Sequence, residues 1–564
     1  MTPSAHVDTF ARDNLPPPDQ WPVFLPGVPA LPYPARMNAT VELLDRQVRQ
    51  GHADAIALRT DDAHCTYAQL LDRVDRIAHV LREDLGLVPG NRVLLRSANN
   101  PMMAASLLAV MKAGLVAVPT MPLLRARELA TIIEKARVDA ALCDIRLIDD
   151  LRDAWHRTAS TESNGGAGTP ARGAGRAAGE RARRLLAFNH GDADGPAAGS
   201  LDARCLQAKA GFDACEVAAD DVALIAFTSG TTGQPKGTMH FHRDVVAMCD
   251  LFPRSILKCD ASDVFCGTPP LAFTFGLGGM LCFPLRVGAS VVLTERATPE
   301  SLLATIARHR ATTLFTAPTF YRQMALHAKA HDLRSLRKCV SAGEALPDAI
   351  RSAWREASGI EMIDGIGSTE MIHIFVSAAP EDFRRGAIGR PVPGYEARIV
   401  DEQMNPLPVG QTGLLAVRGP TGCRYLADDR QRRYVRDGWN LPGDSFRMDE
   451  DGYFYFQARA DDMIVSAGYN IAGPEVEEAM LEHPAVAECA VVGLPDDARG
   501  QVVTAFVVLK PGVDADDALA ARLQDHVKAT IAPYKYPRTV RFVPSLPRTE
   551  TGKLQRFRLK QDAV

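Results

Sequence analysis

Apolar positions along this chain recur in two rhythms. Short runs rich in Val, Ile and Leu, such as "NRVLLRSA", "GLVAVPTM", "DVALIAFTSG", "ASVVLTE", "TTLFTAP" and "KCVSAGEAL", alternate with segments of helical periodicity. Strands spaced by helical segments predict an α/β fold with largely parallel sheets. The most apolar stretch, "AASLLAVMKAGLVAVPTMPLL" from Ala104, is interrupted by Lys112 and Pro119. It reads as a buried helix followed by a strand, not as a membrane span. Residues 159–200 are poor in hydrophobes and rich in Gly, Ala and Arg, the texture of a flexible surface excursion. Near residue 460 the pattern changes. "PEVEEAMLEHP", "VAECAVVGLPD", "VVTAFVVLKPG" and "ALAARLQDHVKATI" follow as helix, strand, strand and helix. A small α+β domain hung on a linker is the expectation.

A chain of 564 residues exceeds a single hydrophobic core, so two or more domains are expected. Its 46% hydrophobic and 23% charged content is that of a soluble globular protein. A formal net charge of −4 gives no sign of a nucleic-acid or anionic-membrane partner. The first residues lack a positive region followed by an apolar run, so no signal peptide is expected. The 11 cysteines are scattered and never form a C-x-x-C pair. That argues against zinc and disulfide frameworks and for a reducing cytoplasm.

The segment "FTSGTTGQPKGTMH", residues 227–240, carries the first candidate chemistry. Its glycines and Pro235 exclude a helix or a buried strand through most of it. Exposed amides and hydroxyls with the cation of Lys236 suit a chain of phosphates. It is not the common P-loop, because Lys236 follows Pro235 and precedes Gly237. Taken alone, a surface loop of ordinary turn residues is the simpler account.

Further motifs change that balance. "TSGTTGQPKG" at 228–237 resembles the phosphate loop of the adenylate-forming superfamily, which includes acyl- and aryl-CoA ligases, peptide-synthetase adenylation domains and firefly luciferase. "IGSTE" at 366–370, "GD" at 443–444, "ARADDMI" at 458–464 and "PRTETGKL" at 547–554 resemble later motifs of that family, in the same order. The resemblance covers roughly residues 40–560. It implies a large N-terminal domain of stacked mixed sheets and helices over 1–459, a hinge at 460–462, and a small mobile C-terminal α+β lid over 463–564.

The resemblance also implies roles. Thr228, Ser229, Gly230, Thr231, Thr232, Gly233 and Lys236 would cradle ATP phosphates. Gly343, Glu344 and Ala345, in "SAGEALP", would flank adenine, with Asp364, Gly365, Ile366 and Gly367 beside the nucleotide. Thr369 would hold phosphates and Glu370 would hold Mg²⁺ through oxygen, as hard cations prefer. Asp444 and Arg459 would bind the ribose. Lys553 would place a cation between substrate carboxylate and α-phosphate. A carboxylate is a poor acyl donor, so it attacks the α-phosphorus of ATP to give an acyl-adenylate and pyrophosphate. Catalysis of that step is mostly positioning and electrostatic stabilisation. A rotation about Asp461 would then swap the Lys553 loop for a face that admits coenzyme A, with Ala467 and Gly468 of "SAGYNI" lining its tunnel. Two departures stand out. Ile366 replaces an aromatic common in relatives, and Ala458 replaces the usual glycine of the hinge motif.

"PLAFTFGLGG" at 270–279 and "GIGSTEMIHIF" at 365–375 resemble the benzoate-type CoA ligases. Ala272, Phe273 and Phe275 would form a flat apolar slot for a ring. His373, placed on the pocket side of a short helix, would meet the carboxylate or a ring substituent as a switchable hydrogen-bonding group. The opening "DTFARDNLPPPDQWP" resembles that of 2-aminobenzoate-CoA ligases, in a segment with no catalytic rationale. The expected function is an aryl-CoA ligase of benzoate or 2-aminobenzoate type, using ATP, Mg²⁺ and coenzyme A. Its expected partners are those small molecules, with no nucleic acid or membrane, and monomer and homodimer are both left open. An adenylation enzyme that loads another acid or a carrier protein, or a luciferase-like oxygenase, is a weaker expectation, since no carrier domain follows Val564. Retention of Lys236, Glu370, Asp444 and Lys553 argues against a degenerate binding scaffold.

Overall fold

The computed structural model describes residues 2–26, 33–164, 184–190, 197–228, 235–459, 462–466, 469–496, 500–531, 533–548, 554–561 and 563. The described residues form four sheets in a large N-terminal and a small C-terminal part. The first sheet runs Leu185–Phe188, Ala140–Asp144, Arg92–Arg96, Val116–Thr120, Val222–Thr228, Lys236–Phe241. It is parallel except for its last pair. The second has nine strands, with a parallel centre from Met362–Gly367 through Lys338–Ser341, Thr313–Thr316, Val264–Gly267 and Ser290–Val292 to Ile56–Arg59, and antiparallel edges. The third is antiparallel and contains Thr412–Arg418, Asp444–Met448 and Phe454–Arg459. All six apolar runs of the sequence contain one of these strands.

The helix Pro101–Lys112 leads into Val116–Thr120 as expected. Pro101 opens it where a missing amide costs nothing, and the Asn100 side chain accepts from the Met103 amide at 3.0 Å. Lys112, the charge that interrupts the apolar run, is buried yet satisfied. Its ammonium lies 2.7 Å from Asp45 and 2.5 Å from Asp75. Among the described residues no helix is long and apolar enough to cross a membrane, and all 11 cysteines are free thiols.

The fourth sheet contains Val486–Asp496 and Gly500–Leu509, flanked by the expected helices Gly473–Leu481 and Asp517–Thr530. It also gains Ile464–Ser466, Tyr469–Ile471 and Thr539–Phe542.

Two expectations need correction. Within the supposed excursion, Leu185–Phe188 is an edge strand of the first sheet, paired in parallel with Ala140–Asp144. Leu186 and Phe188 alternate into the core at 3% and 1% exposure, so four apolar residues outweigh the texture of their surroundings. Around the phosphate segment, Phe227 and Thr228 end one strand while Lys236–Phe241 forms its antiparallel neighbour. Only the centre of that segment escapes regular structure or lies outside the described residues.

Candidate active site

The turn carrying Thr369 and Glu370 joins the antiparallel strands Met362–Gly367 and Ile374–Ser377, paired through Gly367 and Ile374. Pairing at both ends ties residues 368–373 into a compact turn with no helical repeat, so His373 does not sit on a helix. Amides of Met371 and Ile372 donate back to the carbonyls of Ser368 and Thr369, at 3.2 and 3.1 Å. Ile372 takes φ 67°, a left-handed conformation costly for a β-branched residue. It is fully buried, so packing holds the strained turn in place.

Two buried side chains fix this turn. His240 donates from Nε2 to the Thr369 carbonyl at 2.8 Å, which leaves its Nδ1 unprotonated. Burial pushes the His240 imidazole down to about 4. The phenol of Tyr425 donates to Glu370 Oε1 at 2.5 Å. Lys236 Nζ lies 3.4 Å from the same phenol oxygen and 5.2 Å from the Tyr425 ring centroid. Lys236 and Glu370, singled out separately in the sequence, thus meet at one residue that was not. Thr228 stands directly opposite Lys236 in the ladder. Ser229, Gly230, Thr231, Thr232 and Gly233 lie outside the described residues, as do Asp461, Ala467, Gly468 and Lys553.

The segments expected around the nucleotide leave neighbouring parallel strands side by side. Ser341 pairs with Asp364, so Gly343, Glu344 and Ala345 emerge beside Gly365, Ile366 and Gly367. This is the carboxyl end of the parallel sheet, where α/β folds place their ligands. Gly343 has φ 92°, open to glycine at no steric cost. Burial pushes the Asp364 carboxyl up to about 6, partly offset by Arg351 at 4.0 Å. Asp444 and Arg459 are direct partners across the third sheet, and Asp444 is buried. Tyr434 also meets the turn. Its phenol lies 3.0 Å from the Ser368 hydroxyl, and burial, with Glu370 and Asp444 adding to it, pushes that phenol's pKa well up.

His373 lies in a cage of rings. Its centroid is 4.5 Å from Phe283, 5.7 Å from Phe275 and 5.8 Å from Phe252, and Phe275 packs on Phe315 at 5.5 Å. The glycine run makes the cage fit. A Cβ on Gly278 would sit 2.5 Å from the His373 ring, and one on Gly279 would sit 2.6 Å from Phe315. Ala272 is buried, while Phe273 and Phe275 are half-buried. Neither nitrogen of His373 has a hydrogen-bond partner among the described residues. Burial pushes its pKa down to about 3, with the Phe275 backbone opposing it. Burial thus favours the neutral imidazole at ordinary pH, where a switchable group was expected.

The opening segment also acquires a physical role. The Asn14 carbonyl accepts from the Ala427 amide at 3.1 Å, and the Gln20 carbonyl accepts from Gln431 Nε2 at 2.8 Å. Trp21 packs on Phe241 at 5.9 Å. The N-terminal strap thus buttresses the segment that carries Tyr425.

Acid should unfold this protein steeply. His240, His242 and His373 are buried with folded pKa values near 4, 3 and 3, below their ordinary 6.5. The unfolded chain binds protons there that the fold refuses, so stability present above pH 6.5 is lost as pH falls toward 4. Asp364 works the other way between 6 and 3.8. Three imidazoles against one carboxyl leave a loss of about 3 kcal/mol for each pH unit between about 6 and 4. Denaturant unfolding at stepped pH measures it. A flat profile down to pH 4 would show that these imidazoles accept protons within the fold.

The sequence model of the AMP-binding enzyme family matches residues 44–425, and that of the AMP-binding enzyme C-terminal domain matches residues 475–553. A benzoate–CoA ligase from Thauera aromatica is 34% identical over 94% of this chain and 97% of its own length. The crystal structure of the anthranilate CoA ligase AuaEII in complex with anthranoyl-AMP superposes with a TM-score of 0.84 at 33% identity, covering 94% of this chain and 98% of that one. A benzoate CoA ligase from Burkholderia xenovorans LB400 gives 0.80 at 32% identity, covering 93% and 100%.

Proposed function

Since the chain belongs to the AMP-binding enzyme family, we propose that it activates an aromatic carboxylate of benzoate or 2-aminobenzoate type with ATP and transfers the acyl group to coenzyme A. It is an acid–thiol ligase by family. The single observation that carries the aryl assignment is the His373 cage, three residues beyond Glu370. Phe275, Phe283 and Phe252 supply flat apolar walls, and the unpartnered imidazole supplies one neutral polar contact. Rings of that kind accept another ring, and the backbone at Gly278 and Gly279 packs closely on His373 and Phe315. The relatives named for benzoate and anthranilate support the same substrate class.

Thr228 and Lys236 are assigned to the phosphates, with Glu370 as the carboxylate for a phosphate-bound Mg²⁺. Among the described residues no three His, Cys, Asp or Glu side chains converge into a metal cage. One buried carboxylate sharing the ion with phosphate oxygens is the arrangement Mg²⁺ takes in nucleotide sites. When bound, that ion would neutralise phosphate charge. Asp444 is assigned to the ribose hydroxyls, with Arg459 opposite it in the ladder. A large domain at 1–459, a hinge at 460–462 and a lid at 463–564 remain our division of the chain.

AMP formation with and without coenzyme A, over benzoate, 2-aminobenzoate, salicylate, phenylacetate and octanoate, tests the assignment. Benzoate-type acids should give AMP and thioester, and octanoate should be poor. Efficient octanoate turnover, or adenylate without thioester, would overturn the aryl-CoA reading in favour of another acid or acceptor. His373→Ala should raise KM for the aromatic acid far more than KM for ATP, by about 1–3 kcal/mol in binding. If the ring carries an ortho-amino group, the margin of 2-aminobenzoate over benzoate should shrink in the same variant.

A further inference from the structure

Resting on that reading, we infer that Tyr425 is a positioning residue of the adenylation step: its phenol keeps Lys236 and Glu370 apart and in register, so that neither quenches the other. Residues 424–426 run alongside the strand Lys236–Phe241. The Met239 amide donates to the Arg424 carbonyl, and the Leu426 amide to the Gly237 carbonyl, both at 2.8 Å. Alternation along this extended pairing sends Arg424 and Tyr425 to opposite sides. Arg424 ion-pairs with Asp244 in the interior and lies 3.9 Å over the Phe241 ring. Tyr425 faces the turn. Its own amide donates to Gln431 Oε1 at 2.9 Å, so the backbone beneath the phenol is fixed as well.

The hydrogen-bond inventory then decides the roles. A phenol has one proton, and the 2.5 Å contact commits it to Glu370. Its oxygen lone pair is left facing the Lys236 ammonium at 3.4 Å. Cation, phenol and carboxylate form one chain of contacts, and among the described residues no carboxylate reaches Lys236 as a direct ion pair. Without the oxygen, two opposite charges in a partly buried site would draw together. With it, Lys236 stays available to phosphate and Glu370 keeps one oxygen free for a cation.

Tyr425→Phe tests this by removing one oxygen and keeping the ring. Pyrophosphate release from ATP and aromatic acid should fall about 10- to 100-fold, the loss usual when a group that orients a ligating residue is removed. Thioester formation from a pre-formed aryl-adenylate should hold its rate, and KM for the acid should not move. In a double-mutant cycle with Glu370→Gln, the double variant should lose little more than the worse single variant. Equal loss in both half-reactions, additive losses, or unchanged adenylation would overturn the inference. Should Tyr425→Phe fold poorly, Lys236→Gln substitutes in the cycle with Glu370→Gln, and additivity there is equally fatal. Wild-type enzyme runs in the same assay. Activity on a different acid would overturn the aryl reading while Tyr425 is judged on that acid, and no pyrophosphate release with any acid overturns both.

Discussion

Lys553→Ala should slow aryl-adenylate formation by about 100- to 1000-fold, the usual loss of one charge-stabilising donor, and spare CoA transfer to a pre-formed adenylate. The assignment comes from "PRTETGKL", and Lys553 itself lies outside the described residues. The base of that segment is described, and it is held against the large domain. Arg548 lies 2.9 Å from Glu488 and 3.6 Å from Glu344, in the segment assigned to adenine. Arg322 reaches across from the helix Pro318–His327 to Glu488 and to the Ala487 carbonyl, both at 2.7 Å. Five residues of chain span at most about 17 Å, so a lysine following Arg548 at that distance is within reach of the nucleotide segments. Pyrophosphate exchange and single-turnover thioester formation separate the two half-reactions. Equal loss in both would mean that Lys553 serves the fold or both steps, and would remove it from the adenylation role.

Much of the fold was legible because its signals are local. Continuous apolar runs became the parallel strands, and the C-terminal helix–strand–strand–helix order followed its periodicity. The strand Leu185–Phe188 was hidden because four apolar residues are too short a signal inside Gly, Ala and Arg. The turn at 368–373 was misread as helical because spacing from Glu370 to His373 fits a helix turn and a tight connection equally. The residues we assign to phosphates and Mg²⁺ stand out singly, by motif. What joins them does not: Tyr425 lies 189 positions from Lys236 and 55 from Glu370. A lone tyrosine among apolar neighbours reads as core, and only strand pairing reveals which charges it faces. The same holds for His373, two of whose walls, Phe252 and Phe283, lie outside the motifs that singled it out. No periodicity over a few residues carries that information.

The buried pair beneath Tyr425 should dominate the stability of this region. Arg424 and Asp244 are both fully removed from solvent. Asp244 also accepts from the Phe241 amide at 2.8 Å, at the start of the helix His242–Asp250. Burial pushes the Arg424 guanidinium down to about 10, with Asp244 opposing that shift, so the cation persists at neutral pH. Asp244→Ala strands that charge and removes the helix-start acceptor together. The expected loss is about 3–5 kcal/mol, the cost of breaking a buried pair by one partner. Replacing both residues by leucine should recover much of it, because the desolvated charge goes with its partner. Urea unfolding of the two variants gives the comparison directly. A loss below about 1 kcal/mol for Asp244→Ala would mean that water reaches Arg424, which the stacking of its guanidinium on Phe241 and Phe24 argues against. The same variant should weaken both half-reactions together as the fold loosens, whereas loss of the Tyr425 hydroxyl acts on adenylation alone. Stability and positioning are carried by adjacent residues on opposite sides of one extended segment, and this pair of measurements separates them.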